Sequence, residues 1–275
     1  MTKGKYNIKA VSAMVGIPAG TLRMWERRYQ MIAPQRSESG HRLYTDEQVQ
    51  LLQKIVAKTK EGLTVRQAVA LLETERERAE ADERFTACLP AAASFDARQL
   101  QQLWDQWMSV YRLEKVVGEL FPAFLANLDQ WERTGTLTNA HRQFVRSLLA
   151  AKLSMMLMTF STVSADKNVF VVVGPGENDS LPLLLVSIYL CLKGSHVFYI
   201  GECVAEVDVL AAIEQTRPSF LLLACDVTTT EGKQWLSAIE QRASNVSLGL
   251  VGKGTEPHPR YIGKTQAEWE KKLHL

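Results

Sequence analysis

Two short segments near the start of the chain constrain its fold more than any other feature. Residues 21–29 read TLRMWERRY, and residues 34–46 read PQRSESGHRLYTD. In the first segment Leu22 and Trp25 recur at a helical step, which predicts a helix with one buried face and arginines on its other sides. In the second, Gly40 lies among basic residues, and glycine readily supplies the positive φ of a hairpin tip. Together the segments predict a helix-turn-helix followed by a basic wing.

The residues on either side of these segments support the same arrangement. Gly16 permits a turn, and Pro18 suits the first turn of the helix that follows. After the wing, Thr45 and Gln48 have the spacing of a capping box, and residues 64–67 repeat that pattern before another apolar helix. An apolar face at helical spacing precedes Gly16, formed by Tyr6, Ile8, Val11, Met14 and Val15.

The basic side chains of this region are candidate DNA contacts, because arginine forks match both phosphate oxygens and the guanine edge. The charge distribution agrees: through Leu72 the chain has 12 Lys/Arg and 5 Asp/Glu, or +7, whereas the whole chain is +2, which leaves −5 for the remainder. Considered alone, the wing could also be an ordinary solvated loop. The candidate DNA-binding residues are Lys9, Thr21, Arg23, Arg27, Arg28, Arg36, His41, Arg42 and Tyr44.

These segments resemble the DNA-binding domain of the MerR family of bacterial transcription regulators. The resemblance covers residues 1–75 and implies a dimer that binds a pseudo-palindromic operator near a promoter. It also implies that the second helix enters the major groove and that the wing contacts the flanking backbone. By this resemblance Arg23, Arg36, Arg42 and Tyr44 carry over as DNA contacts. The expected partners are double-stranded promoter DNA and further copies of the chain, in a homodimer or a higher homo-oligomer.

The remaining sequence is long enough for further domains. With 275 residues, 46% of them hydrophobic and 23% charged, the composition is that of a globular protein. A run of alternating charge after residue 73 predicts a solvated helical linker. We expect a DNA-binding domain at 1–75, a linker at 76–93, a helical bundle at 94–164 and an α/β domain at 165–275.

Several function classes are disfavoured by the sequence. No apolar run reaches the roughly 18 residues that span a membrane, and the polar N-terminus is unlike a signal peptide, so we expect a cytoplasmic protein with no membrane partner. The four cysteines have no C-x-x-C or Cys/His spacing, so no metal site is expected. Asp179, Glu202 and Asp226 lie near strand ends, but no paired acid and base or activated nucleophile accompanies them. No catalytic residue is assigned.

The hydrophobic period changes along the second half of the chain. Residues 96–161 have apolar residues at helical steps, which predicts a small helical bundle. Within it, the segment 155–158 (MMLM) could be core or an adaptable ligand surface, and core packing is favoured. Four short apolar runs then alternate with helix-length segments, which indicates an open parallel sheet. The runs are 169–173, 197–200, 220–223 and 248–251.

The predicted fold class is therefore multidomain α and α/β. It combines a winged helix-turn-helix, a helical bundle and a flavodoxin-like or Rossmann-like doubly wound parallel sheet. Glycines and threonines follow the predicted strands, at the edge where such sheets bind ligands. The same residues also serve plain turn geometry, so a ligand crevice and simple turns both remain open.

A MerR-type head, a bundle and this sheet resemble together the CarH/LitR group of regulators, which bind cobalamin in light-sensing and related members. In that group a Glu/Asp-x-His-x-x-Gly loop follows the first strand, and its histidine ligates cobalt. Here Asp179 stands at the histidine position and Pro182 at the glycine position. Aspartate is a hard oxygen donor and a poor substitute for imidazole on cobalt. By the resemblance, the candidate cofactor-binding residues are Trp131, His141, Glu177, Asn178 and Asp179.

The other face of the cofactor site also departs from the group. There a bundle tryptophan is followed by a Glu-His pair that caps cobalamin, whereas here Trp131 is followed by His141 and Arg142. His141 is either a displaced member of that pair or a surface histidine. We expect histidine-ligated cobalamin binding to be lost. Cobalamin held without a protein ligand, another small molecule and a partner protein all remain open as effectors.

Two functions of different classes follow from the sequence. The first is a sequence-specific DNA-binding transcriptional regulator, a repressor rather than an enzyme, whose C-terminal part senses a signal or forms oligomers. The alternative is a corrinoid carrier or a methyl-transfer module. Regulation predicts tight operator binding that weakens with salt, whereas a carrier predicts a stoichiometric corrinoid spectrum.

Overall fold

The computed structural model divides into two compact units, Met1–Glu83 and Arg84–Leu275. Asn178, one of the candidate cofactor-binding residues, lies outside the residues that the structure describes. The described residues are 4–37, 40–160, 167–177, 179–201, 204–243 and 245–273.

The first unit is a helix-turn-helix with a hairpin wing, as the sequence predicts. Gly16 ends the first helix in the left-handed conformation, at φ 71°, and Gly40 in the hairpin has φ 79°. Thr45 and Gln48 form a capping box at the start of the third helix, which confirms that pattern. The elements are α1 (Ile8–Val15), α2 (Ala19–Arg28), β1 (Gln35–Arg36), β2 (Arg42–Leu43), α3 (Asp46–Lys60) and α4 (Val65–Thr86).

The fourth helix joins the two units. α4 extends to Thr86, so the charged run after residue 73 is helical. The expected boundary between DNA-binding domain and linker, at residue 75, falls within this one helix. The Thr64 hydroxyl accepts from the backbone N–H of Gln67 at 3.3 Å, and the side-chain oxygen of Gln67 accepts from the backbone N–H of Thr64 at 2.9 Å. These two hydrogen bonds confirm the second capping box.

The second unit begins with a helical part. Its core is a cluster of aromatic rings. The ring centroids of Trp104 and Phe124 are 6.0 Å apart, as are those of Trp107 and Phe121. A π-helical turn, Val116–Leu120, separates α7 from α8. The elements are α5 (Leu89–Ala93), α6 (Ala97–Val110), α7 (Leu113–Lys115), α8 (Phe121–Arg133) and α9 (Asn139–Phe160).

The methionine-rich end of α9 differs from the expectation. Met155 and Met158 are 71% and 75% exposed, whereas Leu157 between them is buried. Core packing was expected for this segment, and it is wrong for these two methionines. The reason is the helical step: Leu149, Leu153 and Leu157 face the core, so the adjacent positions point outward.

The second half of this unit is a parallel sheet, as predicted. Its strand order is β4-β3-β5-β6, so β4 lies on one side of β3, and β5 and then β6 lie on the other side. The carboxyl ends of β3 and β5 therefore flank the switch point at which such sheets bind ligands. The strands are β3 (Lys167–Val173), β4 (Ser195–Gly201), β5 (Phe220–Ala224) and β6 (Ser247–Val251), and the helices are α10 (Leu181–Leu192), α11 (Glu206–Thr216), α12 (Thr230–Arg242) and α13 (Gln266–Leu273).

The last helix connects the sheet to the helical part. Tyr189 of α10 donates a hydrogen bond to Glu270 of α13, and Trp269 is buried. On the other side, Gly118 of the π-helical turn lies against Gln266, where an added Cβ would come within 2.8 Å of the Gln266 Cβ. Only glycine allows that approach. Within the described ranges, no helix is both long enough and apolar enough to cross a membrane.

Candidate functional site

The first candidate surface is the outer face of α2. Leu22 and Trp25 pack into the core of the first unit, at 1% and 6% exposure. This packing directs Arg23, Arg27 and Arg28 outward, and all three are exposed. Within the described part of the chain, none of the three forms an ion pair. Their guanidinium groups are therefore available to a polyanion.

The wing and α1 add further basic groups. Arg36 and His41 are exposed on the hairpin, and the Nη1 of Arg36 lies 3.5 Å from the carbonyl oxygen of Gly40. Lys9 is exposed on α1, and Thr21 is half-buried at the start of α2. These four predicted residues thus have surface that DNA could reach.

Arg42 is held by a neighbour on α2. Its Nε lies 2.6 Å from Oε2 of Glu26, and the two side chains are 27% and 11% exposed. The hydrogen bond to Glu26 raises the pKa of Arg42, so the guanidinium stays charged. This ion pair connects the wing to the helix that is expected to enter the major groove.

Tyr44 lies elsewhere than expected for a DNA contact. Its side chain has no exposed surface and packs in the core of the first unit. Its backbone pairs with Tyr6, whose carbonyl accepts from the Tyr44 N–H at 2.8 Å. Burial, and next the charge of Glu26, raise the pKa of its hydroxyl. In this conformation Tyr44 supports the base of the wing and offers DNA no contact surface.

The second candidate site is a cavity of about 530 Å³ in the second unit. It lies between α8 and α9 on one side and the carboxyl edge of the sheet on the other, which is the position expected for a ligand in an open parallel sheet. Its apolar lining includes Leu125, Leu185, Val251 and Trp269. Its charged lining is Asp129, Arg146, Glu177, Asp179, Lys253, Glu256 and Lys264.

An ion pair connects the two walls of this cavity. Arg146 on α9 donates a short hydrogen bond from Nη2 to Oδ2 of Asp179, which lies between β3 and α10. Its Nη1 also lies 3.7 Å from Asp129 on α8. The Arg146 side chain is only 12% exposed, against 40% for Asp179. We call Asp129, Arg146 and Asp179 the clasp.

The carboxyl ends of the strands next to the clasp are linked to one another by hydrogen bonds and an ion pair. Glu177 accepts from the backbone N–H of Asp179 at 2.9 Å and from that of Lys253 at 3.0 Å. The Nζ of Lys253 in turn lies 3.4 Å from Asp226, which follows β5. The hydroxyl and backbone N–H of Thr228, and then Lys253, lower the pKa of Asp226. A continuous polar chain thus runs from α8 to the ends of β3, β5 and β6.

Two of the predicted cofactor residues are outside this cavity. Trp131 packs edge-on against Phe124, with ring centroids 6.3 Å apart. His141 stacks on Phe95 at 4.5 Å, and its Nδ1 accepts from the backbone N–H of Thr138 at 3.0 Å, which caps the start of α9. Neither lines the cavity, whereas Glu177 and Asp179 do.

The side chains present do not fit cobalt ligation of the resembled group. At the histidine position Asp179 offers carboxylate oxygens, which are poor donors for cobalt. Both oxygens are already bonded, Oδ2 to Arg146 and Oδ1 to the backbone N–H of Leu181 at 3.2 Å. In the described residues no cluster of three or more His, Cys, Asp or Glu side chains could hold a metal ion.

Sequence reasoning missed four residues that shape these surfaces: Glu26, Asp129, Arg146 and Lys253. A signal existed for Glu26, because a single carboxylate among the arginines of a basic helix is expected to pair with one of the nearby cations. No local signal existed for Arg146, whose partner Asp179 is 33 positions away.

The first unit matches a known family, and most of the chain is similar to two known regulators. Residues 6–75 match the model of the MerR HTH family regulatory proteins. The chain is 27% identical over 240 residues to the HTH-type transcriptional repressor CarH of Myxococcus xanthus, covering 82% of this chain and 80% of CarH. It is also 27% identical over 270 residues to the HTH-type transcriptional repressor CarA of the same organism, covering 95% of this chain and 91% of CarA.

Among solved structures, part of the chain aligns with the 1.5 Å crystal structure of a novel cobalamin-binding protein from Desulfitobacterium hafniense DCB-2. The TM-score is 0.36 and the sequence identity 11%, over 63% of this chain and 85% of that one.

Proposed function

From the premise that this chain is a DNA-binding transcriptional regulator with a MerR-type head, we propose that it is a repressor. It binds a pseudo-palindromic promoter operator as a homodimer or higher homo-oligomer, in the cytoplasm. The proposed contacts are the exposed Arg23, Arg27 and Arg28 of α2, together with Lys9, Thr21, Arg36, His41 and Arg42. Repression is proposed because both similar regulators, CarH and CarA, are repressors.

One observation carries this proposal. Residues 6–75, which match the MerR model, are the same residues that fold into a helix-turn-helix beside a basic wing, and the exposed arginines of its second helix form no ion pair with any described residue. An arginine-rich helix next to a hairpin can fill the major groove and contact phosphates on both sides of it.

Footprinting tests the proposal. The purified full-length chain is incubated with the DNA upstream of its own gene, with and without adenosylcobalamin in the dark. We expect a protected region with two-fold symmetry, and an affinity that falls as salt is raised because counterions are released from the duplex. Absence of protection there, and on duplexes selected from a random library, would contradict the proposal.

For the second unit we propose a sensing or oligomerising role without histidine-ligated cobalamin. The clasp supports this, because it joins the helical part to the sheet through Arg146 and Asp179 and engages both oxygens of Asp179 in hydrogen bonds. An effector of this module need only prefer one DNA-binding state over another. In the footprint, protection that ignores adenosylcobalamin supports a role without cobalamin, and protection that changes with it would mean that the second unit senses cobalamin held without the histidine ligand.

A further inference from the structure

Glu26 presents a physical problem that the DNA-binding function alone does not solve. It lies on α2 between exposed arginines, on the helix proposed to face phosphates. A negative charge there opposes binding of a polyanion. A residue that weakens the electrostatic attraction must contribute in another way, and its contact with Arg42 indicates which way.

The wing needs an anchor. Each of its strands has only two residues, paired as Gln35 with Leu43 and Arg36 with Arg42. So short a hairpin is marginal on its own, because few backbone hydrogen bonds offset the entropy of ordering it. Buried Tyr44 fixes its base. The Glu26–Arg42 ion pair, at 2.6 Å and mostly shielded from water, ties its second strand to α2.

The geometry of this contact leaves most of the guanidinium free. An arginine side chain has five N–H donors, of which one is on Nε. Glu26 accepts from that one. Among the described residues no other side chain bonds Arg42, so the four N–H groups on its two Nη atoms remain for a phosphate. A guanidinium already fixed at Nε loses less rotational freedom when it binds.

We propose that Glu26 is a positioning residue for DNA binding, which orients Arg42 toward a backbone phosphate and fixes the wing against α2. The inference rests on the proposed DNA-binding function and adds to it a residue that touches no DNA. Glu26 acts through Arg42 alone. Its negative charge is neutralised in the same contact, which is why the carboxylate is tolerated on this face.

The test compares Glu26→Ala with Glu26→Gln in the full-length chain. The probe is a duplex that the wild-type chain selects in vitro from a random-sequence library. Dissociation constants are measured at several KCl concentrations, and thermal unfolding is followed in parallel. Glu61→Gln is the matched control, because it also removes one negative charge from the first unit and breaks a 3.0 Å ion pair, with Lys58 at the end of α3.

We expect Glu26→Ala to bind the duplex about tenfold more weakly, the size of one lost charged hydrogen bond. The slope of log K against log salt should fall by about 0.9, the value for one phosphate contact. Glu26→Gln should recover most of the affinity, since its amide oxygen still accepts from Arg42 Nε. Glu61→Gln should bind like the wild type or slightly more tightly, and all variants should remain folded at the temperature of the binding measurements.

A double-mutant cycle keeps the inference testable if Glu26→Ala folds poorly. In an Arg42→Ala background, Glu26→Gln should tighten binding, because it removes a carboxylate that Arg42 no longer neutralises, whereas with Arg42 present it should weaken binding slightly. Equal effects of Glu26→Gln in the presence and absence of Arg42 would overturn the inference. So would Glu26→Ala that folds and binds with unchanged affinity and salt slope.

Parallel measurements separate this inference from the function on which it rests. If the wild-type chain selects no duplex, both fail. If it selects one, and Arg23→Ala weakens binding while Glu26→Ala does not, DNA binding stands and only the positioning role of Glu26 is refuted.

Discussion

The two units use the same kind of side chain in opposite ways. On α2 of the first unit, Arg23, Arg27 and Arg28 are exposed and have no ion-pair partner among the described residues. In the second unit, Arg146 is mostly buried between two carboxylates, Asp129 and Asp179. An unpaired cationic surface suits an external polyanion, whereas a paired, shielded cation suits a structural contact. The difference indicates that the arginines of α2 are available to an external anion, whereas the charge of Arg146 is neutralised within its own unit.

The largest expected effect concerns the unpaired arginines. We expect Arg23→Ala to weaken binding to the selected duplex by about tenfold to a hundredfold, the range for an arginine that contacts a base. Arg66→Ala is the matched control: Arg66 is exposed on α4 of the same unit, so it removes the same charge away from α2 and the wing. Equal losses in the two variants would mean that net charge alone governs binding, and would refute a local role for Arg23.

The second prediction breaks the clasp. Arg146→Met keeps the aliphatic packing of the side chain but leaves Asp129 and Asp179 facing each other. We expect the second unit to lose about 1 to 2 kcal/mol of unfolding free energy, less than for a fully buried pair because Asp179 is 40% exposed. Urea unfolding followed by tryptophan fluorescence measures it.

Lys152→Met serves as its control, because it breaks a pair of comparable length, 2.6 Å to Asp105, whose acid is 61% exposed. That loss should stay below about 1 kcal/mol. If Arg146→Met and Lys152→Met lose the same unfolding free energy, the clasp contributes no more than an ordinary surface ion pair. Adding Asp179→Asn to Arg146→Met should restore part of the lost unfolding free energy, because the double variant no longer contains the unpaired Asp179 carboxylate.

What the sequence could predict depended on whether the signal was local. The capping box of Thr45 with Gln48, the left-handed Gly16 and the apolar runs of the strands each involve neighbours a few positions apart. Local sequence therefore indicated the wing, the bundle and the parallel sheet. The cap formed by Thr138 and His141 has the same spacing, and that pattern could have identified His141 as a helix cap.

The candidate sites were less predictable, because their geometry depends on long-range packing. The Glu26–Arg42 contact spans 16 positions and the Arg146–Asp179 contact 33. The sequence indicated that Asp179 replaces a histidine, but not that an arginine from another helix would bind it. It placed Tyr44 among the DNA contacts, whereas the Tyr44 side chain is buried in the core of the first unit, where its backbone pairs with Tyr6.

The third prediction uses the pH dependence of the strand edge. The folded-state pKa of Asp226 is lowered, first by the Thr228 hydroxyl. Its contribution to stability is therefore fully present above the unfolded-state value, about 3.9, and is lost as the pH falls through the lower folded-state value. We expect wild type to be more stable than Asp226→Asn at pH 6, and this difference to shrink below about pH 4. Urea titrations at both pH values measure it, and a difference independent of pH would contradict the assignment.

The smallest expected effect is on corrinoid binding. Asp179→His restores a histidine where the resembled group has its cobalt ligand, yet we expect it to retain no stoichiometric hydroxocobalamin after gel filtration, as judged by absorption. The substitution removes the carboxylate that pairs with Arg146, so the new imidazole would face the positive charge of Arg146 across the cavity. Pro182, at the position where the resembled group has glycine, still lines the wall. Retention of one equivalent by Asp179→His alone would show that the clasp does not close the cavity to a corrin. Retention only when Arg146→Met is added would show that the arginine, rather than the missing ligand, is the main barrier.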